Sequence, residues 1–187
     1  DLIAHISLSD FESESGNDSW GWTDSENQKE YVLMGLDDGT GFVDISDPEN
    51  PMFLGKLLSA TSKSIWRDIK VYKDHAFIVS EAENHGLQVF DLKKLRGVEE
   101  KKNFESDATL NTFGNAHNIA INEESGYAYV VGTSRADDYN GGVHFIDISA
   151  PKSPVEVGGH GDDGYSHDAH VVNYIGPDSN YTEREIF

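Results

Sequence analysis

Two stretches carry residue types that chemistry needs. The run 166-SHDAH-170 sets His167 and His170 three apart with Asp168 between them, and 65-IWRD-68 puts an indole, a guanidinium and a carboxylate side by side. Neutral imidazole together with carboxylate suits zinc or another first-row divalent ion. On a strand His167 and His170 point to opposite faces because their separation is odd, and Asp168 shares its face with His170. His117, in 115-NAHNIAIN-122, is therefore weighed as the first partner for His167. Calcium is the second ion to consider, since it takes six to eight oxygens and Asp is frequent in 37-DDGTG-41, 137-DDYN-140 and 162-DDG-164. Each of these is also ordinary hairpin-turn chemistry, and none has the spacing of an EF-hand loop. The sequence has no G-x-S-x-G elbow, no glycine-rich phosphate loop and no HExxH helix.

The elements that must position these residues are short strands in a repeating order. The segments 42-FVDISDP-48, 87-LQVFDL-92 and 143-VHFIDISAP-151 each place an Asp (Asp44, Asp91, Asp147) after a β-branched or aromatic run. Before them lie 31-YVLMG-35, 76-AFIVS-80 and 127-YAYVVG-132, and before those 19-SWGWT-23, 65-IWRDIKVY-72 and 115-NAHNIAIN-122. A unit of about 50 residues with three or four short antiparallel strands is the size of a propeller blade. The pattern predicts an all-β β-propeller of four-stranded antiparallel blades near 19–57, 64–105 and 115–158, with a fourth, incomplete one at 165–187. A leading strand within 1–11 is read as a possible closing strand. Three blades and a part are fewer than a closed ring of four needs, so the single domain 1–187 is read as part of a larger ring. The one helix candidate, 91-DLKKLRGVEE-100, is interrupted by Gly97 and is given one or two turns.

In a propeller the innermost strands line a central channel, and their ends converge at its rim. Aligning the apolar alternation puts Ile69 and Val71 with Ile119 and Ile121, then with Ala169 and Val171. Arg67 and Asp68 then match His117 and Asn118, and His167 and Asp168, with Trp22 and Thr23 taking those places in the first blade. This gives a candidate ligand-binding set of Arg67, Asp68, His117, Asn118, Trp22 and Trp66, and a candidate metal set of His117, His167, Asp168 and His170. The same residues also serve a purely structural network, in which Arg67 pairs with an acid, the imidazoles bond to carbonyls and the tryptophans wedge between blades. Both uses stay open at this point.

Composition limits the partners. Lys and Arg total 14 against 34 Asp and Glu, a formal charge of −20 that repels nucleic acid and anionic lipid and suits cations or basic proteins. Cys is absent, which removes disulfides and thiolate chemistry without fixing a compartment. No apolar run approaches the ~20 residues of a membrane span. The start at Asp1 without Met, and an ending at 185-EIF-187 that reads as an opening strand, are taken as signs of a mature or excised piece.

The runs 65-IWRDIKVYKDHAFIVSEAENHGLQVFDLKKLR-96, 117-HNIAINEESGYAYVVG-132, 141-GGVHFIDISAPKSPVEVGG-159 and 164-GYSHDAHVVNYIGPDSNY-181, with 19-SWGWTD-24 and 40-TGFVDISDPENPMFLGKL-57, resemble the LVIVD-repeat proteins called choice-of-anchor B. The WRDIKVY and GYSHDA stretches are the most specific parts of the likeness. The resemblance implies a secreted or bacterial cell-surface β-propeller, longer than this chain, with a C-terminal anchoring region and no established catalytic activity. Relatives often carry cysteines where this chain has Asn140 and Val171. Function is therefore expected to be that of an extracellular binding or scaffold module, with a protein, glycan or small-molecule partner and further blades or chains to pair with. A zinc or calcium ion at the channel mouth is the expected cofactor. The alternative is a metal-assisted hydrolase or lyase, with His117, His167 and Asp168 or Asp68 on the metal and Arg67 on an anionic substrate.

Overall fold

The computed structural model describes residues 2–187, and its architecture is all-β. β1 (Gly16–Asp24), β2 (Lys29–Leu36), β3 (Gly39–Asp44) and β4 (Met52–Leu58) form an antiparallel sheet in sequential order. β5 (Arg67–Tyr72), β6 (His75–Ser80) and β7 (Leu87–Asp91) start the second sheet. β8 (Lys102–Phe104) then crosses to the first sheet, parallel to β4, and β9 (Ala108–Leu110) completes the second. β10 (Asn118–Asn122), β11 (Tyr127–Val131), β12 (Val143–Asp147) and β13 (Val155–His160) make the third sheet. β14 (Val172–Asn173) and β15 (Glu185–Ile186) begin a fourth unit. The four-stranded antiparallel units match the strand pattern of propeller blades, and they do not close into a ring among the described residues. The helix candidate becomes one turn of 3-10 helix at Leu92–Leu95, capped by the Asp91 carboxylate, which accepts from Lys93 N–H. No helix among the described residues is long and apolar enough to cross a membrane.

The middle sheet shows why the strands read as apolar runs. Every residue of β6 is buried, with Ala76 and Ile78 packed toward the first sheet and Phe77 and Val79 toward the third. A sheet covered on both faces needs apolar side chains at odd and even positions alike. Between the first and second sheets, Phe42 stacks on Phe90 with ring centroids 4.8 Å apart, and Phe104 meets both edge-on. The repeated Asp at the end of each third strand is explained by turn chemistry. Asp44 accepts from Ser46 N–H at 2.9 Å, Asp91 from Lys93 N–H at 3.1 Å and Asp147 from Ser149 N–H at 2.9 Å. Each carboxylate thus fixes the chain reversal that sends it to the fourth strand.

Three sequence expectations need correction. The second unit does not end at 105, because Lys102–Phe104 is lent to the first sheet, which therefore has five strands. This lending requires Gly55, whose φ is +123° and where a Cβ would lie 1.8 Å from the Lys102 carbonyl oxygen. Residues 3–11 form no strand; Phe11 instead packs edge-on against Phe53 at 4.9 Å and covers Leu36 and Val43 on the outer face of the first sheet. The first unit begins at Gly16, not at residue 19.

Phe42 is wholly buried among the aromatic rings that join two units. Phe42→Ala is expected to cost about 3–5 kcal/mol, as buried Phe truncations do. Urea unfolding followed by tryptophan fluorescence checks this as a fall in midpoint at unchanged slope.

Candidate functional site

An innermost strand has a sheet neighbour on one side only, so the backbone groups on its other side need partners. The chain supplies them with side-chain oxygens from the preceding unit. Asp18 Oδ2 accepts from Ile69 N–H at 3.0 Å, Asp68 Oδ2 from Ile119 N–H at 2.8 Å and Asn118 Oδ1 from Ala169 N–H at 3.2 Å, each across 51 residues. Asp68 also accepts from Asn118 Nδ2 at 2.7 Å and from Lys70 Nζ at 2.7 Å. The innermost segments of all four units border one cavity of about 190 Å³, lined by Trp20, Lys70, Ile119 and His170 among others. Asp68 and Asn118, expected to meet a ligand, are thus engaged in holding the inner strands in phase.

The first-unit member of this ladder is Asp18, with Asn17 before it, and not Trp22 and Thr23. Asn17 Nδ2 donates to the Arg67 carbonyl at 3.1 Å. Trp22 lies further along β1, buried, stacked on Tyr31 at 5.0 Å and donating from Nε1 to Asp74 at 3.1 Å. It wedges between two units and is closed to a ligand. Arg67 is also corrected. Its side chain is 1% exposed and turns into the protein, donating from Nε to the Leu36 carbonyl (3.1 Å), from Nη2 to Ser59 Oγ (3.0 Å) and from Nη1 to His85 Nε2 (2.9 Å). Burial lowers the Arg67 pKa to about 10, which leaves it charged at neutral pH. Burial, and then the Arg67 charge, pull His85 down to about 4, so its ring is neutral. Nδ1–H donates to the Gly86 carbonyl and Nε2 accepts from Arg67.

At the rim, the residues preceding the later ladder members come together. The rings of His117 and His167 lie with centroids 4.0 Å apart and planes at 39°. One ligand atom from each of His117, His167 and Asp168 falls within 4.8 Å of the other two, and this is the only such grouping of three among the described residues. His167 and Asp168 are exposed and His117 is partly so. His117 Nδ1 lies 2.6 Å from Glu81 Oε1 and His167 Nδ1 lies 2.8 Å from Asp168 Oδ2. A carboxylate only accepts, so Nδ1 carries the proton in each neutral ring and each Nε2 keeps its lone pair. Trp66, exposed, meets His117 edge-on at 5.9 Å.

His170 does not join this grouping; three residues beyond His167, it borders the cavity that Trp20 lines. The acidic loops do not converge either. Asp37 accepts from Glu14 N–H and Lys63, Asp38 from Ser13 Oγ and Lys56, and Asp137 from Tyr139 N–H, Gly141 N–H and His144. Glu81 and Asp18 are the two residues that sequence reasoning missed. Asp18 was recoverable, since it stands 50 residues before Asp68 and 100 before Asn118. Glu81 carries no such signal, as it follows β6 like any loop acid.

Asp18 and Asp68 share the Ile69 N–H as acceptors, so two carboxylates meet at one donor. Burial first, and then the hydrogen bond and charge of Asp68, raise Asp18 to about 6, with Lys70 opposing. An acid whose folded pKa is raised binds more protons folded than unfolded between about 3.8 and about 6. Its stabilising contribution is complete below that window and is lost as pH rises through it. Asp18→Asn, which reproduces the Asn118 side chain beside Asp68, is expected to raise the melting temperature at pH 7.5 by a few degrees. It is also expected to flatten the change between pH 5.5 and 7.5, as calorimetry at both pH values checks.

Residues 113–160 match the family model for the LVIVD repeat, a span that contains β10 to β13 in full. No curated protein matches the chain. The likeness read from the sequence is thereby anchored in the third sheet, and the chain is one that carries an LVIVD repeat at residues 113–160.

Proposed function

We propose that this chain is a propeller-type binding module of the bacterial cell surface or exterior, part of a larger ring, with its contact surface at the rim of the inner strands. A divalent first-row ion held by His117, His167 and Asp168 organises that surface. The observation that carries the reading is the convergence of three ligand atoms from two successive units at an exposed rim. Two neutral imidazoles and one carboxylate are the donor set of zinc sites, and three protein ligands leave one tetrahedral position for a ligand from outside. The carboxylate of Glu81 on the far nitrogen of His117 is the outer partner that fixes ring and tautomer in such sites. The charge of −20 favours a cation-mediated contact. Zinc is preferred to calcium because Asp37, Asp38 and Asp137 of the acidic loops spend oxygens on N–H donors.

The hydrolase or lyase reading is weaker. It assigned the substrate anion to Arg67, and that guanidinium is buried and committed to Leu36, Ser59 and His85.

After chelator treatment, titration calorimetry with zinc is expected to give one ion per chain. His117→Ala, His167→Ala and Asp168→Asn should each lose it, and His170→Ala should keep it. Zinc at a hundredfold excess over Kd is expected to add about 2.7 kcal/mol of stability. Protein that takes up no stoichiometric ion, and whose melting temperature zinc leaves in place, contradicts the proposal.

A further inference from the structure

The groups at the rim come from three successive units. Glu81 and Trp66 belong to the second, His117 enters β10 of the third, and His167 and Asp168 open the fourth. Among the described residues the fourth unit pairs as a sheet only between β14 and β15, and side-chain hydrogen bonds and aromatic contacts, among them Ser125 Oγ to Glu185, Asn173 Nδ2 to Glu124 and Phe145 against Phe187, join it to the third. Ser166 N–H donates to the Gly141 carbonyl at 3.0 Å, and Ala169 N–H to Asn118. Asn122 Nδ2 donates to Asn173 Oδ1 at 2.8 Å and to Glu185 Oε1 at 2.6 Å. The apolar share is Ala169 and Val171 against Ala120 and Tyr129, with Phe187 stacked on Tyr129 at 5.6 Å. Segments with little buried apolar surface and exposed hydrogen bonds open at low free energy.

Resting on the metal reading above, we infer that the ion is a latch that fastens residues 166–187 onto the third sheet, with Glu81 as the positioning residue that holds His117 ready to receive it. An ion with ligands on both sides of a joint binds fully only to the closed form, so it shifts the population toward closure by its differential affinity. Glu81 acts through His117 and not on the ion: its carboxylate takes Nδ1–H, which leaves the Nε2 lone pair free on a ring whose centroid lies 4.0 Å from that of His167. Because Glu81 stands on the second unit and His167 on the fourth, closure records the alignment of all three. The ladder bond from Asn118 to Ala169 places the joint, and the ion makes it persist.

Hydrogen–deuterium exchange of the full chain, stripped of metal and then saturated with zinc, reads the latch directly. Zinc is expected to slow exchange of peptides within 166–187 at least tenfold and to leave β6 and β7 unchanged. Glu81→Gln is expected to weaken zinc binding about ten- to a hundredfold at unchanged stoichiometry, as loss of an outer-shell carboxylate does. Glu81→Asp should recover part of that affinity, and the metal-free melting temperature should be the same in all three proteins. If zinc binds the wild type at one per chain and exchange in 166–187 does not slow, the latch is refuted while the metal site stands. Glu81→Gln with wild-type affinity removes Glu81 from the inference. No zinc binding to the wild type overturns the metal site itself, and the latch with it.

Discussion

The first strands of stacked four-stranded sheets present a backbone problem that the rest of this molecule is arranged to solve. β1, β5 and β10 each pair with one neighbour in their own sheet, and on their other side no ladder joins them to the next unit. A short side-chain oxygen spans that gap. Asp18, Asp68 and Asn118 do so for Ile69, Ile119 and Ala169, always at the same offset of 51 residues. Because an unpaired buried N–H costs about 1–3 kcal/mol, each such bond locks the rotational phase of one unit against the next. Once phase is fixed, any residue at a given place in the repeat meets its counterparts at the rim.

Phase alone does not decide what a rim residue does. Asn17, Arg67, His117 and His167 occupy equivalent positions, yet their surroundings send them different ways. Arg67 turns inward because a neutral imidazole at His85 of its own unit, together with the Ser59 hydroxyl and the Leu36 carbonyl of the first, gives enough acceptors for a buried guanidinium. His117 stays near the rim beside Gly132, where a Cβ would come within 2.3 Å of its own and displace the ring. Charge is handled the same way between units. Arg96 bridges to Asp24 and Glu26, and Lys152 to Asp91, so acidic turns of one sheet are answered by cations of the next. Arg96 beside it holds the Asp24 carboxyl below its usual range, so the stability of this joint is lost only as pH falls through that lowered value.

The strand-rich repeat was legible in the sequence because its markers are local. An Asp that closes a turn on the N–H two residues later does so whatever surrounds it, and Asp44, Asp91 and Asp147 announce each third strand. The meeting of His117 with His167 was legible too, since equal spacing is all that it requires. The first unit misled because its inner strand has Ser19 and Gly21 where the second has Ile69 and Val71, so the apolar alternation used for alignment is missing there. With no apolar guide, Trp22 drew the register five residues too far, away from Asn17. The crossing of Lys102–Phe104 depends on a glycine in another sheet and on one aromatic residue, neither of which marks a strand by itself. Arg67 and Glu81 were beyond reach for the same reason. Whether a charged side chain is buried or presented depends on partners 8 to 36 residues away in sequence and on other elements.

The repeat also explains why ligand atoms of His117, His167 and Asp168 converge here at so little structural cost. Placing two imidazoles from distant segments 4.0 Å apart ordinarily demands a dedicated scaffold, and in this chain the ladder already provides it. A histidine at one position of one unit is a satisfied polar residue; a second at the same position of the next makes a pair. Only an oxygen donor and an orienting carboxylate remain to be added; Asp168 stands where the fourth inner segment begins and Glu81 where the turn leaves β6. The converse holds for His170. Close to His167 in sequence, it borders the cavity instead, where no second imidazole repeats it: its counterparts are Trp20, Lys70 and Ala120. Position within the repeat, more than proximity along the chain, therefore determines which residues of this protein act together.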